Sequence, residues 1–380
     1  MTTMDTREFL GVRLSEHHAR LFQQAARLVP AHWSLRVTAP FVMDRAGYEL
    51  ILGAIRGYRG RAARLHFLLS VDNAARRDYY SLQPSSAWTA DGLRLPIEAQ
   101  RDGGEGIEII TIALPAFADV MPLPEALGDD LALSVPLAVL MPLTSDYDVL
   151  FANQMGIFSA LHRAVRRRPL TWLAACRDRR PFSFGQRAAL AYRAIHPQAQ
   201  VHPTAVIEGS VIGRGAVIGA HAVVRYSVIG ESARLFDGAK VEFSVVGAKT
   251  CLMHDLVLYR SVAERDVFLI HGPYQFSLFQ RASSAFATIL MDYRPDGRAI
   301  QVQTPSGLRA YEGRFLGAVL QERAKLLGGC LLAPGRTVPP DTWLSAESAS
   351  VHTLGGHSLP TRVPISPQTA RKEPHGLEKN

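Results

Sequence analysis

A chain of 380 residues exceeds one ordinary compact domain; at roughly 150 residues per domain it should hold two or three. With 47% hydrophobic and 20% charged residues it can bury a sizeable core, which excludes a largely disordered or collagen-like chain. The net charge of +8 first suggests a polyanionic partner, but nine arginines (163, 166, 167, 168, 177, 179, 180, 187, 193) face one acid, Asp178, between Leu161 and Ile195. That stretch carries the whole net charge, so a protein-wide nucleic-acid face is not expected, and no zinc-finger or RNP-type motif is present.

The opening MTTMDTREFLGVRLSEHH has no apolar run after its charges, and the longest apolar stretch, Leu131 to Leu143, is too short to span a bilayer. A cytoplasmic protein without a membrane span is the expectation. Cys176, Cys251 and Cys330 stand far apart, which indicates neither a disulfide framework nor a thiolate metal site.

Residues 1–145 alternate amphipathic helices (Glu16 to Leu28, Ala46 to Tyr58) with apolar strands at 34–43, 64–71, 106–115 and 131–142, giving an α/β or α+β domain. Residues 146–194 follow as an Arg-rich helical connector. Its arginines, Arg166, Arg167 and Arg168 among them, are either a solvated face or a patch for an anionic ligand, since guanidinium forks match phosphate geometry.

From Ile195 the chain repeats every 17 residues for four periods. Position 1 is Ile195, Ile212, Ile229 and Val246; position 7 is Val201, Ile218, Leu235, Leu252 and Leu269; position 13 is Ile207, Val224, Val241 and Leu258. Ser210, Ser227, Ser244 and Ser261 also align, each followed by valine. Apolar residues spaced six, six and five apart fit neither a helix face nor an alternating strand. They fit the corners of a three-sided coil stacked at about 4.8 Å.

The units IGRGAV, IGAHAV and VGAKTC resemble the hexapeptide repeats of the left-handed parallel β-helix superfamily, many of whose members are trimeric acyltransferases. The resemblance implies that the α/β domain and its connector are followed by a left-handed β-helix over 195–271. An inserted β-meander is expected at 272–316, where PDG and PSG turns separate short strands. The β-helix should resume over 317–344, where Leu320, Leu326, Leu332, Val338 and Leu344 are again six apart, before a disordered tail at 345–380. Over Ser145 to Gly247, DYDVLFANQ followed by SVIG coils also resembles the domain order of bacterial sugar-nucleotide pyrophosphorylases. The glycine-rich phosphate loop of that family is absent, so the alternative reading is a nucleotidyltransferase-like protein whose β-helix serves assembly or regulation.

Stacking the period places Asp237, His254 and His271 in one corner column, with His221 and Asp255 in the next. A base beside a nucleophile, held by a carboxylate, is what general-base catalysis needs. LMHDLVL resembles the His-Asp coil of hexapeptide acyltransferases acting on sugars or nucleotide-sugars. The resemblance implies His254 as general base, Asp255 or Asp237 as its orienter, acyl-CoA as co-substrate, and a trimer or other homo-oligomer, with a small anionic or sugar ligand. The other reading of the column is a set of surface polar residues at turns.

Gamma-class carbonic anhydrases bind zinc through three histidines on this fold, but His254 and His271 lie 17 apart and the H-x4-H pair His352/His357 is in the tail, so no metal is expected. His196 and His202 fit the first turns of the coil, and His162 the solvated arginine face. Tyr274 and Gln275, with Phe276, either line a cleft beside His271 as substrate-binding residues or pack the insertion.

Overall fold

The computed structural model describes residues 8–346 apart from 14–15, 18–28, 31, 102, 122–130, 167–168, 180–183 and 306. Most of the expected helix Glu16 to Leu28, and nearly all of the tail, lie outside the described residues.

The repeat folds as a three-sided parallel solenoid. Two of its sides are eight-stranded sheets, from Arg193–Ile195 to Thr337–Val338 and from Gln200–Val201 to Trp343–Leu344. The third side has five strands, from Val206–Glu208 to Tyr274–Gln275. Below it Ile289–Leu290 pairs in parallel with Leu331–Leu332. Ile212, Ile218 and Val224 of one coil, and Val246, Leu252 and Leu258 two coils on, are no more than 1% exposed, so the three aliphatic positions of the period are the three inward-facing residues. Burial of each contributes on the order of 1.5–3 kcal/mol.

The aligned serines have their own function in the stack. The Ser227, Ser244 and Ser261 amides donate to Oγ of the serine one coil earlier, each at 3.1 Å, and Ser277 continues the ladder at 3.0 Å. The Ser210, Ser227 and Ser244 hydroxyls donate to carbonyls two residues back. Ser244→Ala should therefore leave the buried Ser261 amide without its acceptor and lower stability by about 1–3 kcal/mol, read as a shift in the urea midpoint at unchanged slope.

The meander expected at 272–316 is corrected by the strand register. Leu252 pairs with Leu269, 17 residues on, whereas Leu258 pairs with Tyr274 and Val262 with Leu278, 16 residues on. One residue is shed at the corner His271–Pro273, so the sequence period slips while the prism continues through Leu290. The chain leaves only between Leu290 and Ala318, as a single antiparallel hairpin of Ile300–Thr304 with Gly307–Tyr311. It returns at Val319, which pairs with Leu278.

The N-terminal region is a mixed sheet in which Trp33–Val37, Gly92–Arg101, Arg64–Ser70 and Ile107–Ala113 lie in that order. Only the last pair is parallel. Such a sheet lacks the parallel strand ends that form a nucleotide crevice in doubly wound folds. The helix expected at Ala46 to Tyr58 is Arg45–Gly57, capped by Asp44, whose side chain accepts from Gly47 N–H at 2.8 Å.

Val245, Val262, Leu278 and Val319, on the outer face of one eight-stranded side, share the N-terminal region's apolar core. The helix Asp146–Arg166 is accordingly buried on most of its circumference, between the mixed sheet and the prism. None of the described helices is long and apolar enough to cross a membrane.

Candidate functional site

The prism has three corners, and the N-terminal region covers one side and one of its corners. The uncovered corner opposite that side, between the strands Arg234–Leu235 and Lys240–Glu242 and their equivalents, carries the predicted column. Asp237, His254, Asp255 and His271 are all exposed there. Asp237 and His254 keep the 17-residue register, whereas His271, with φ of 61° like the 55° of Asp255, lies where the register slips, and these side chains are not joined to one another by hydrogen bonds. Asp237 Oδ1 accepts from Ala220 N–H at 2.7 Å, pointing to the preceding coil. Asp255 Oδ1 lies so close against Gly238 that a Cβ placed there would be 2.0 Å from it. The His254 ring packs edge-on to Phe236, with centroids 5.0 Å apart. His221 and Asp255 hold positive φ, each 55°, which identifies their column as the tight bend itself.

The remaining predicted residues separate. Tyr274 is fully buried inside the prism, its hydroxyl donating to the Ile270 carbonyl at 3.0 Å, so its substrate-binding role is corrected to a core one. Gln275 is half-buried and lines a cavity. Arg166 is exposed at the end of its helix, and Arg167 and Arg168 lie outside the described residues. Arg163 is held by the buried Asp44 at 2.6 Å, so part of the arginine cluster ties the long helix to the N-terminal region. Among the described residues no group of three or more His, Cys, Asp or Glu converges as a metal site. His352 and His357 lie outside them.

The cavity that Gln275 lines, of about 190 Å³, sits at the covered corner between the long helix, the coils and the inserted segment. Tyr79, Gln154, Arg260, Tyr311 and Arg314 also face it. Its wall follows from the repeat. Tyr226, Phe243, Arg260 and Phe276 occupy equivalent corner positions with φ of 47°, 48°, 45° and 48°, an unusual conformation for bulky residues. Tyr226 and Phe243 stack at 4.8 Å, and the Arg260 guanidinium lies 5.6 Å from the Phe243 ring centre and 5.9 Å from that of Phe276. The long helix runs along this ladder. Gln154 Nε2 donates to the Arg260 carbonyl at 2.7 Å, and Phe158 meets Phe243 at 5.7 Å. Four helical residues rise about 6 Å, close to the ~4.8 Å step of one coil, which is why one helical turn matches one coil.

The helix start is fixed as firmly. Asp146 accepts from Gln280 and Gln321 at 2.9 and 2.6 Å, and Tyr147 donates to the Gly317 carbonyl at 3.1 Å. Asn153 accepts from Leu10 N–H at 2.6 Å and donates to the Glu8 carbonyl. The motif DYDVLFANQ therefore joins helix, prism and N-terminal strand.

Sequence reasoning did not single out Arg260. The signal was available: it is the one charged residue in a repeat column that otherwise reads Tyr226, Phe243, Phe276.

No known family and no curated protein matches the chain. Solved structures similar to it include a putative acetyltransferase of Bacillus cereus, at 15% identity over 40% of this chain and 71% of that one, with a TM-score of 0.25. The acetyltransferase domain of PglB from Neisseria gonorrhoeae with acetyl coenzyme A gives 16% over 40% and 59%, with a TM-score of 0.17. PerB from Caulobacter crescentus with CoA and GDP-perosamine gives 16% over 42% and 57%, also at 0.17. At TM-scores of 0.25 and below these likenesses carry no conclusion about this chain. The three-sided parallel β-solenoid that the hexapeptide units implied is the fold of this chain.

Proposed function

We propose that the chain is an acyltransferase that takes its acyl group from a coenzyme A thioester and passes it to a hydroxyl or amino group of a sugar or sugar-nucleotide. The observation that supports this is the exposed imidazole of His254, set by Phe236 on the corner that faces away from the N-terminal region, with Asp237, Asp255 and His271 exposed at the same corner. Arg234 and Lys240, both exposed, flank that corner on the strands to either side and supply positive charge for the phosphates of the donor.

In the reaction His254 removes the proton from the acceptor as its lone pair attacks the thioester carbonyl. The new C–O or C–N bond forms, the C–S bond breaks, and the thiolate leaves as coenzyme A, taking up a proton. Copies of the prism packed side by side at this corner would enclose the acceptor between subunits, in a trimer or other homo-oligomer.

Thiol release from acetyl-CoA, measured with the full chain against a panel of amino sugars, hydroxyl sugars and nucleotide-sugars, tests the reading. Release that depends on an acceptor is expected. Release with no member of the panel removes acyl transfer to sugars.

A further inference from the structure

The cavity at the covered corner holds a buried cation that, among the described residues, no carboxylate pairs directly. Arg260 is 9% exposed, and among the described residues no carboxylate lies within ion-pair distance of it. Its guanidinium interacts with the phenols of Tyr79 and Tyr259 and, beyond ion-pair distance, with the Asp78 carboxylate, while the Phe243 and Phe276 rings lie against it. A buried cation without an anion is costly, and a guanidinium cannot shed its proton to avoid that cost.

Asp78, the carboxylate on the cavity wall, is gripped by Arg77 Nε and Nη2 at 2.8 and 3.1 Å, so Arg77 is its direct partner and Arg260 acts on it from farther away. Arg314, half-buried on the inserted segment, faces the same space, and among the described residues it has no ion pair and no hydrogen bond. The count at the cavity is thus two cations in excess of one carboxylate already paired with a third.

Much of the rest of the wall is aromatic. Phe151 and Tyr311 stack at 5.8 Å with an interplanar angle of 14°, and Phe315 stacks on Phe276 at 5.5 Å. A volume of about 190 Å³ holds a small organic molecule. Guanidinium forks pair with carboxylate and phosphate oxygens, and aromatic walls take a planar body.

We propose that this cavity binds a small organic anion, a carboxylate or a phosphate monoester with a flat apolar body, whose charge lies between Arg260 and Arg314. The site is separate from the His254 corner and does not depend on acyl transfer. Its ligand touches the N-terminal region at Tyr79, the long helix at Gln154, the coil at Arg260 and the insertion at Arg314, so occupancy ties four elements together and raises the melting temperature.

Calorimetry and melting curves on the full chain test this with phenyl phosphate, benzoate, inorganic phosphate and the uncharged benzyl alcohol. Phenyl phosphate or benzoate should bind with a Kd below about 1 mM and raise Tm, and benzyl alcohol should do neither. The stronger of the two identifies the headgroup, and equal binding of inorganic phosphate would overturn the flat body. Arg314→Gln, which alters a half-buried side chain with no partner in the fold, should weaken binding about tenfold or more while leaving the unliganded Tm in place. Arg260→Lys keeps the charge and removes the fork, and should weaken it comparably. Anion binding unchanged in both variants, or no binding of either aromatic anion, overturns the proposal.

Discussion

Replacing His254 by alanine should lower kcat for acyl transfer by about 10²–10⁴-fold, the range ordinarily contributed by a positioned general base. The same change should leave Tm almost unaltered, because the ring is exposed and its contact is one edge-on packing with Phe236. Activity and stability therefore separate in this variant, and acceptor-dependent thiol release measured beside a melting curve reads both. Equal turnover in wild type and variant would return His254 to the status of a turn residue. The carboxylates are distinguished by the same assay. Asp237 is committed to the Ala220 amide, which an asparagine oxygen can also accept from, so Asp237→Asn should change kcat little. Asp255 has its carboxylate against Gly238 and accepts no hydrogen bond in the fold, so it is the freer of the two to orient the ring when an acceptor is bound. A drop in kcat for Asp255→Asn with KM unchanged would assign it that positioning role.

How far the sequence reaches is set by what a period can encode. Ile212, Ile218 and Val224 recur because each coil buries the same three directions, so the prism and its inward residues were readable before any coordinates. The placing of Asp237 and His254 one coil apart followed from the same arithmetic. Side-chain direction did not, because a repeat fixes Cα positions and leaves rotamers to local contacts such as Ala220 N–H and Gly238. The prism seemed to end at His271 because shedding one residue shifts every later apolar position, although the strands themselves keep their register. Tyr274 was misassigned for that reason: counted outside the coil it is a cleft residue, and counted with the slip it aligns with the inward Leu258. The cavity was out of reach for a different reason. Tyr79, Gln154, Arg260 and Arg314 come from four segments, and nothing local in any of them shows that they meet.

Asp148 carries the second large effect. It lies at the start of the long helix with 0% exposure, and it accepts from the Thr144 and Ser145 amides at 2.7 and 2.6 Å, from both their hydroxyls at 3.0 and 3.2 Å, and from Gln83 Nε2 at 2.9 Å. Asp148→Ala strands these donors in the interior and should destabilise the fold by about 3–5 kcal/mol, the usual consequence of removing one side of a buried charged network. Because this helix also holds Gln154 against Arg260 and Asp146 against Gln280 and Gln321, the prism and the N-terminal region should then melt apart, giving two transitions in calorimetry. Burial pushes the Asp148 carboxyl up to about 6, against the opposing pull of its hydrogen bonds with Thr144 and Ser145. The raised value means that the folded chain binds more protons at this site than the unfolded chain between the ordinary carboxylate range and pH 6. Stability from Asp148 is thus fully present below that range and is lost as pH rises through about 6. Over that interval the loss amounts to roughly 3 kcal/mol at 1.36 kcal/mol per pKa unit. Asp148→Asn has no proton to release, so the stability gap between wild type and this variant should narrow from pH 4 to pH 7 by about that amount in urea titrations. A gap that stays constant across the interval would show that the five donors, rather than burial, decide the ionisation of the carboxylate.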